Sequence, residues 1–257
     1  MKPAPPETHT VRGAIEPLPF QAVERLAPLP RGFYQRDTVQ VARELLGKLI
    51  VRRVPTGVVV ARLVEVEAYL GVEDPACHTF RGRRTRRTET MWGEAGHLYV
   101  YFVYGMHHCA NVVTRGVGVP EAVLLRGAVV GCGALPPLEA VPGGGDGCLL
   151  SGPARLTRAL AIDLRHNGMD LTAGAELFLA DDGCSLAPGW VQALPRVGVH
   201  YAGEAAGWPL RFVVAEERGQ GAAARGGAGS PAAAGPSRPG PPAGAGRTPG
   251  GGRSRGG

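Results

Sequence analysis

KLIVRRVPTGVVVARLVEVEAY, residues 48–69, is the stretch from which the fold is read. Both halves are rich in β-branched residues, and Pro55-Thr56-Gly57 between them is a turn signal. Lys48 to Val54 and Val58 to Tyr69 are therefore expected to form two paired strands. Just upstream, Asp37 stands where it caps a helix over 38–46, with Val39, Val41, Ala42, Leu45 and Leu46 as an apolar stripe and Gly47 as its end. Downstream, Leu98 to Val103 and Ala110 to Thr114 read as strands flanking the loop Tyr104-Gly105-Met106-His107-His108. Ala122 to Val130 is a further β-rich run. Ser151 as cap and Pro153 in the first turn predict a helix reaching about Ile162. Glu176 to Ala180, Val197 to Tyr201 and Leu210 to Ala215 complete a mostly antiparallel set. The sum is an α+β fold: one domain with a curved antiparallel sheet and a few helices.

The ends of the chain differ from this middle. Residues 1–30 are proline-rich and read as a loose lead-in, and residues 218–257 are almost entirely Gly, Ala, Pro, Ser and Arg. A tail of that composition has too little apolar surface to offset its ordering entropy and is expected to be disordered. The domain is then expected at 31–217. The formal net charge of +6 is concentrated in the tail: six of the 28 basic residues lie from Arg218 onward with no acid, so residues 1–217 carry 22 of each sign. Any nucleic-acid footprint must therefore be local. No apolar run approaches the roughly 18 residues of a membrane span, and Met1 to Pro6 do not read as a secretory signal. Five cysteines without a C-x-x-C pair argue against a disulfide framework or a zinc site, and reduced thiols in a cytoplasmic protein are expected.

In a strand over Glu65-Val66-Glu67-Ala68-Tyr69, the side chains of Glu65, Glu67 and Tyr69 share a face while Val66 and Ala68 meet the core. Two carboxylates beside an aromatic suit an acid or base next to a stacked ring, and equally a solvated strand face. Arg81, Arg83, Arg84, Arg86 and Arg87 put five arginines into seven residues, which is either a phosphate grip or a solvated surface. Ser151-Gly152-Pro153-Ala154-Arg155 offers helix-start N–H groups and an arginine, also suited to phosphate. Tyr99, Tyr101 and Tyr104 are half of all the tyrosines, and rings on strand faces and loop tips stack on bases or wedge between them.

Several motifs then occur in order: Glu65-Val-Glu-Ala-Tyr-Leu-Gly71, His78, the run from Leu98 to Met106, Asn111, Val123-Leu-Leu-Arg126, Gly152-Pro153, Arg196-Val-Gly-Val199, Ala202-Gly-Glu204 and Pro209-Leu-Arg-Phe212. This series resembles the alkyladenine (3-methyladenine) DNA glycosylase family over roughly residues 31–215. The resemblance implies a mixed α/β domain with a protruding β-hairpin and no metal or organic cofactor. It implies that Glu67 activates the attacking water and that Arg126 and the carbonyl of Val197 hold it. Tyr69, His78 and Tyr101 would sandwich a flipped base, Asn111 would exclude guanine's exocyclic amine, and Tyr104 would fill the gap left in the duplex. Arg155 stands where lysine is frequent, which keeps a phosphate contact while changing its geometry. The implied partner is double-stranded DNA bearing an alkylated purine, met by a monomer at the nucleoid. Only Lys2 and Lys48 could supply an amine nucleophile, so a water mechanism without strand cleavage is expected. The alternative is a non-catalytic RNA- or DNA-binding module related to formyltransferase C-terminal domains. Glu67 with Arg126 separates the two, because a carboxylate in a phosphate-facing cleft repels the ligand of a pure binder.

Overall fold

A computed structural model describes residues 23–55, 57–103, 105–132, 148–186 and 188–214. Asp37 caps helix α2 (Thr38–Leu45) by accepting from the Val39 and Gln40 N–H groups at 3.0 and 3.2 Å. Its stripe of Val41, Ala42 and Leu45 is fully buried. The short helix α1 (Arg31–Tyr34) precedes it, and α3 (Pro153–Ala159) lies later in the chain. The strands are β1 (Leu49–Val54), β2 (Gly57–Tyr69), β3 (Leu98–Val103), β4 (His107–Thr114) and β5 (Glu121–Cys132), followed by β6 (Cys148–Ser151), β7 (Leu177–Ala180), β8 (Val191–Leu194) and β9 (Arg211–Val214). All pair antiparallel, in the order β3-β4-β5-β2-β1-β7, with β6 added to β5, β9 to β2 and β8 to β9. This is the curved, largely antiparallel α+β domain that the sequence predicts. The β3–β4 hairpin occupies one end of the strand order.

Strand β2 organises the sheet. One of its edges serves β1 along 57–62 and then β9 along 65–67, while β5 runs the length of the other. Along that β2–β5 pair the register slips once between Val60 and Ala61 and then twice more within a few residues. Leu63 pairs with Ala128 and Glu65 with Gly127, so Val64 is an extra residue on β2; Val66 then pairs with Leu125, so Arg126 is an extra residue on β5. The two bulges reverse the in–out alternation. Val59, Ala61 and Leu63 face the main core before them, and Val66 and Ala68 face it after. Val60 packs on the opposite face with Val51 and Phe178. An unbroken alternation would have put Glu65, Glu67 and Tyr69 on Leu63's face. Strand β5 reverses in step: Ala128 and Val130 meet the core on one side of the bulge, Leu125 and Val123 on the other.

Three local expectations are corrected. Val197 to Tyr201 is not a strand: Pro195 lacks an N–H and Gly198 takes φ +77°, so the chain turns and continues as short 3-10 turns over His200–Gly207. The strand beside β9 is instead Val191–Leu194. Ser151 does not cap α3; it ends β6, and Gly152 at φ +92° is the cap residue, with no side-chain cap bond. His107 and His108 belong to β4, paired with Val103 and Phe102, so the hairpin turn is tighter than expected. Val23 and Leu29 are buried, and the Leu29 N–H donates to Leu179 at 2.7 Å, so packing begins inside the stretch read as a lead-in. Residues 1–22, Thr56, Tyr104 and the tail 218–257 lie outside the described residues.

Replacing Asp37 by alanine removes a cap that serves two N–H groups. The expected loss is about 1 kcal/mol of unfolding free energy in urea titration.

Candidate active site

The reversal at the bulges turns one face of β2, β3, β4 and β5 away from the main core, and the polar residues collect there. Glu67 is fully buried, and its strand is paired on both sides, to Leu124 and to Arg211. Its Oε2 accepts from the Tyr69 hydroxyl at 2.9 Å, and its Oε1 accepts from the Val197 N–H at 2.8 Å. Arg126 Nε lies 3.4 Å from the same Oε1 but hydrogen-bonds Glu65 Oε1 at 3.0 Å. Burial pushes the Glu67 carboxyl above the ordinary carboxylate range; Arg126, the Val197 N–H and the Tyr69 hydroxyl pull the other way. Burial also raises the Tyr69 phenol, and the adjacent carboxylate adds to it, which keeps the hydroxyl a donor.

Next to this carboxylate lies a cleft of about 330 Å³, counting the open space at its mouth. Tyr69, His78, Tyr101 and Asn111 all line it, so four residues scattered through the sequence share one wall system. His78 meets Tyr101 edge-to-face at 4.6 Å between centroids, and its Nδ1 lies 3.0 Å from the Tyr99 hydroxyl. Burial, with Arg87 and Arg83 beside it, lowers the His78 pKa to about 4, so the ring is neutral in near-neutral solution. Asn111 is paired across the strands with Tyr99 and donates to its carbonyl at 3.1 Å, leaving one amide N–H and the side-chain oxygen for the cleft. Sequence reading did not assign Ala76, Cys77, Met91, Tyr99 or Tyr201 to this cleft. Tyr99 is marked by its strand position; the others carry no local signal.

Tyr69 is held from behind as well. Arg196 Cζ stacks 4.7 Å from the centre of its ring. Arg196 in turn forms a bidentate pair with Asp74, both side chains fully buried. Asp74 also accepts from the Leu70 and Ala76 N–H groups at 3.0 Å. The two partners are 122 residues apart, so no spacing announces the pair.

The basic cluster is exposed throughout. Arg84 is bidentate to Glu89 at 3.0 and 2.5 Å, and Arg87 Cζ lies 5.1 Å from the centre of the Tyr101 ring, beside the cleft. Arg83 and Arg86 have no ion-pair partner among the described residues. Arg155 is exposed in the first turn of α3. Val197 meets Glu67 through its backbone N–H.

Residues 32–218 match the family described as methylpurine-DNA glycosylase. A protein of Bdellovibrio bacteriovorus named for 3-methyladenine DNA glycosylase activity is 45% identical over 186 residues, covering 72% of this chain and 93% of that protein. Similarly named proteins are 44% identical over 197 residues in Methanocella arvoryzae, covering 72% and 90%, and 42% identical over 203 residues in Desulfitobacterium hafniense, covering 74% and 96%. The chain belongs to this family. It is a DNA glycosylase, an N-glycosyl hydrolase. Membership removes the alternative of a binding module without catalysis. Among the glycosylase's described residues, no helix is long and apolar enough to cross a membrane.

Replacing Arg196 by methionine leaves the Asp74 carboxylate buried without its partner. The expected cost is about 3–5 kcal/mol in denaturant unfolding. Adding Asp74→Asn is expected to restore part of it, because the amide removes the stranded charge and still offers an acceptor to the Leu70 and Ala76 N–H groups.

Proposed function

We propose that this glycosylase acts on duplex DNA carrying an alkylated purine of the 3-methyladenine type, turns the damaged nucleotide out of the helix and hydrolyses its N-glycosidic bond with water. The observation that carries this reading is the Glu67 carboxylate, buried beside an aromatic cleft and still holding a free lone pair on each oxygen. Alkylation at a ring nitrogen makes the purine cationic. The rings of Tyr69, His78 and Tyr101 suit such a base, since a neutral imidazole does not repel it and π-faces attract it. Glu67 takes a proton from water held by Arg126 and the Val197 carbonyl. The hydroxide oxygen bonds to the anomeric carbon as the C–N bond breaks, and the electron pair of that bond neutralises the departing base. The products are a free purine and an abasic site. Asn111 disfavours an exocyclic amine at the purine edge. On the sequence resemblance, Tyr104 fills the vacated position in the duplex. Arg83, Arg86, Arg87 and Arg155, with Arg84 once released from Glu89, grip the phosphates. A monomer with its catalytic domain at 31–217 suffices for this.

Glu67→Gln keeps the shape of the side chain but cannot accept the proton. Base release from a duplex with one defined lesion should fall at least about 100-fold, with lesion affinity nearly unchanged. Near wild-type release by Glu67→Gln would refute the mechanism. Because the ionised carboxylate is the active form and its pKa is raised, wild-type activity should fall with acidification at a pH above the ordinary glutamate value. Borohydride should trap no covalent adduct, since Lys48 is tied to Asp181 at 2.6 Å and water is the nucleophile.

Neutralising Arg83, Arg84, Arg86 and Arg87 together tests the phosphate grip. Each contact contributes about −0.9 to the slope of log K against log salt, so the variant should show a shallower slope. An unchanged slope would return the cluster to an ordinary solvated surface.

A further inference from the structure

Glu65 has no part in the reaction just described, yet a bulged register, a glycine and two arginines converge on it. It pairs with Gly127, and two of the three register slips of the β2–β5 ladder flank that one pair. A Cβ on Gly127 would come to 3.0 Å from Glu65 Cβ and 3.3 Å from its Oε2, so a larger residue there would press on the carboxylate and the glycine leaves it room. Its Oε1 accepts from Arg126 Nε and from Arg211 Nη1, both at 3.0 Å. Arg211 is itself tied to the Pro195 carbonyl at 2.9 Å, two residues before the N–H that holds Glu67.

We propose that Glu65 is a positioning residue: it draws the Arg126 guanidinium onto itself, so that Glu67 keeps a lone pair for water instead of closing into a full ion pair. The geometry is asymmetric in this sense. The Arg126 Nε hydrogen bond goes to Glu65, and its approach to Glu67, at 3.4 Å, is an ion-pair contact of greater length. Removing the Glu65 charge leaves Arg126 and Arg211 facing a single carboxylate. Arg126 then turns to Glu67, which becomes a weaker base and loses access to water. The other groups coupled to Glu67 are Tyr69 on β2, Tyr101 on β3, Cys109 on β4 and Arg196 behind the tyrosine wall. Glu65 raises the Glu67 pKa and Arg126 lowers it, so both consequences of the loss act in one direction.

The inference rests on Glu67 being the general base, and the experiment separates the two. Single-turnover base release and lesion-duplex affinity are measured against pH for wild type, Glu65→Gln, Arg211→Gln and Glu67→Gln. Glu65→Gln should move the acid limb of the rate profile to lower pH by roughly half a unit or more and lower the plateau about tenfold, with lesion affinity unchanged. Arg211→Gln removes a cation and should move the same limb to higher pH. Opposite displacements by two partners of one hydrogen-bonded cluster are not expected from loss of packing. An acid limb unmoved in Glu65→Gln, or a rate loss matched by an equal loss of affinity, overturns the proposal while Glu67→Gln remains inactive. An active Glu67→Gln overturns the general-base reading and this inference with it. Should Glu65→Gln fail to fold, Arg211→Gln decides alone: a limb displaced upward supports the positioning role, and an unmoved limb rejects it.

Discussion

The paired bulges at Glu65–Gly127 are the constraint on which the site depends. A strand whose side chains alternate strictly cannot carry both the core residues Val59, Ala61 and Leu63 and the polar set Glu65, Glu67 and Tyr69 on alternate positions of one face without burying the carboxylates in hydrocarbon. One extra residue on each strand resolves this. It keeps Val66 and Ala68 in the core and delivers the carboxylates to the opposite face. The extra residue on β5 is Arg126, the cation those carboxylates need. Register and electrostatics are therefore settled in the same place.

Once that face exists, the neighbouring strands furnish it by simple alternation. Leu98 and Val100 of β3, and Ala110 and Val112 of β4, fill the main core. Tyr99, Tyr101 and Asn111 project to the other side and line the cleft. Rigidity comes from behind: Tyr69 is bonded at its hydroxyl by Glu67 and backed by Arg196, whose charge is met by Asp74 within the protein interior. A buried carboxylate or guanidinium is tolerated only when paired, and here each pairing also fixes a wall of the cleft. The charges are thus structural and chemical at once.

Much of the fold was legible. The turn at Pro55, the cap at Asp37 and the β-branched runs each act through near neighbours, and they lie where the sequence predicts. The errors share a cause. Ser151 and Val197–Tyr201 were read by residue preference, but a glycine at positive φ in each neighbourhood redirected the backbone. The strand Val191–Leu194 was missed because an edge strand of four residues carries too short a pattern to register.

By itself the sequence determined the α+β class, the shared face of Glu65, Glu67 and Tyr69, and the series of motifs that marks the family. These are local or additive properties: propensity, period and order along the chain. Only the tertiary structure decided that Val64 and Arg126 are the bulged residues, that Glu65 and not Glu67 takes the hydrogen bond of Arg126, and that Asp74 and Arg196 stand behind Tyr69. Each of these joins segments between about 60 and 130 residues apart. No window of sequence contains both partners, and the pairing follows from which strands the folded sheet brings side by side.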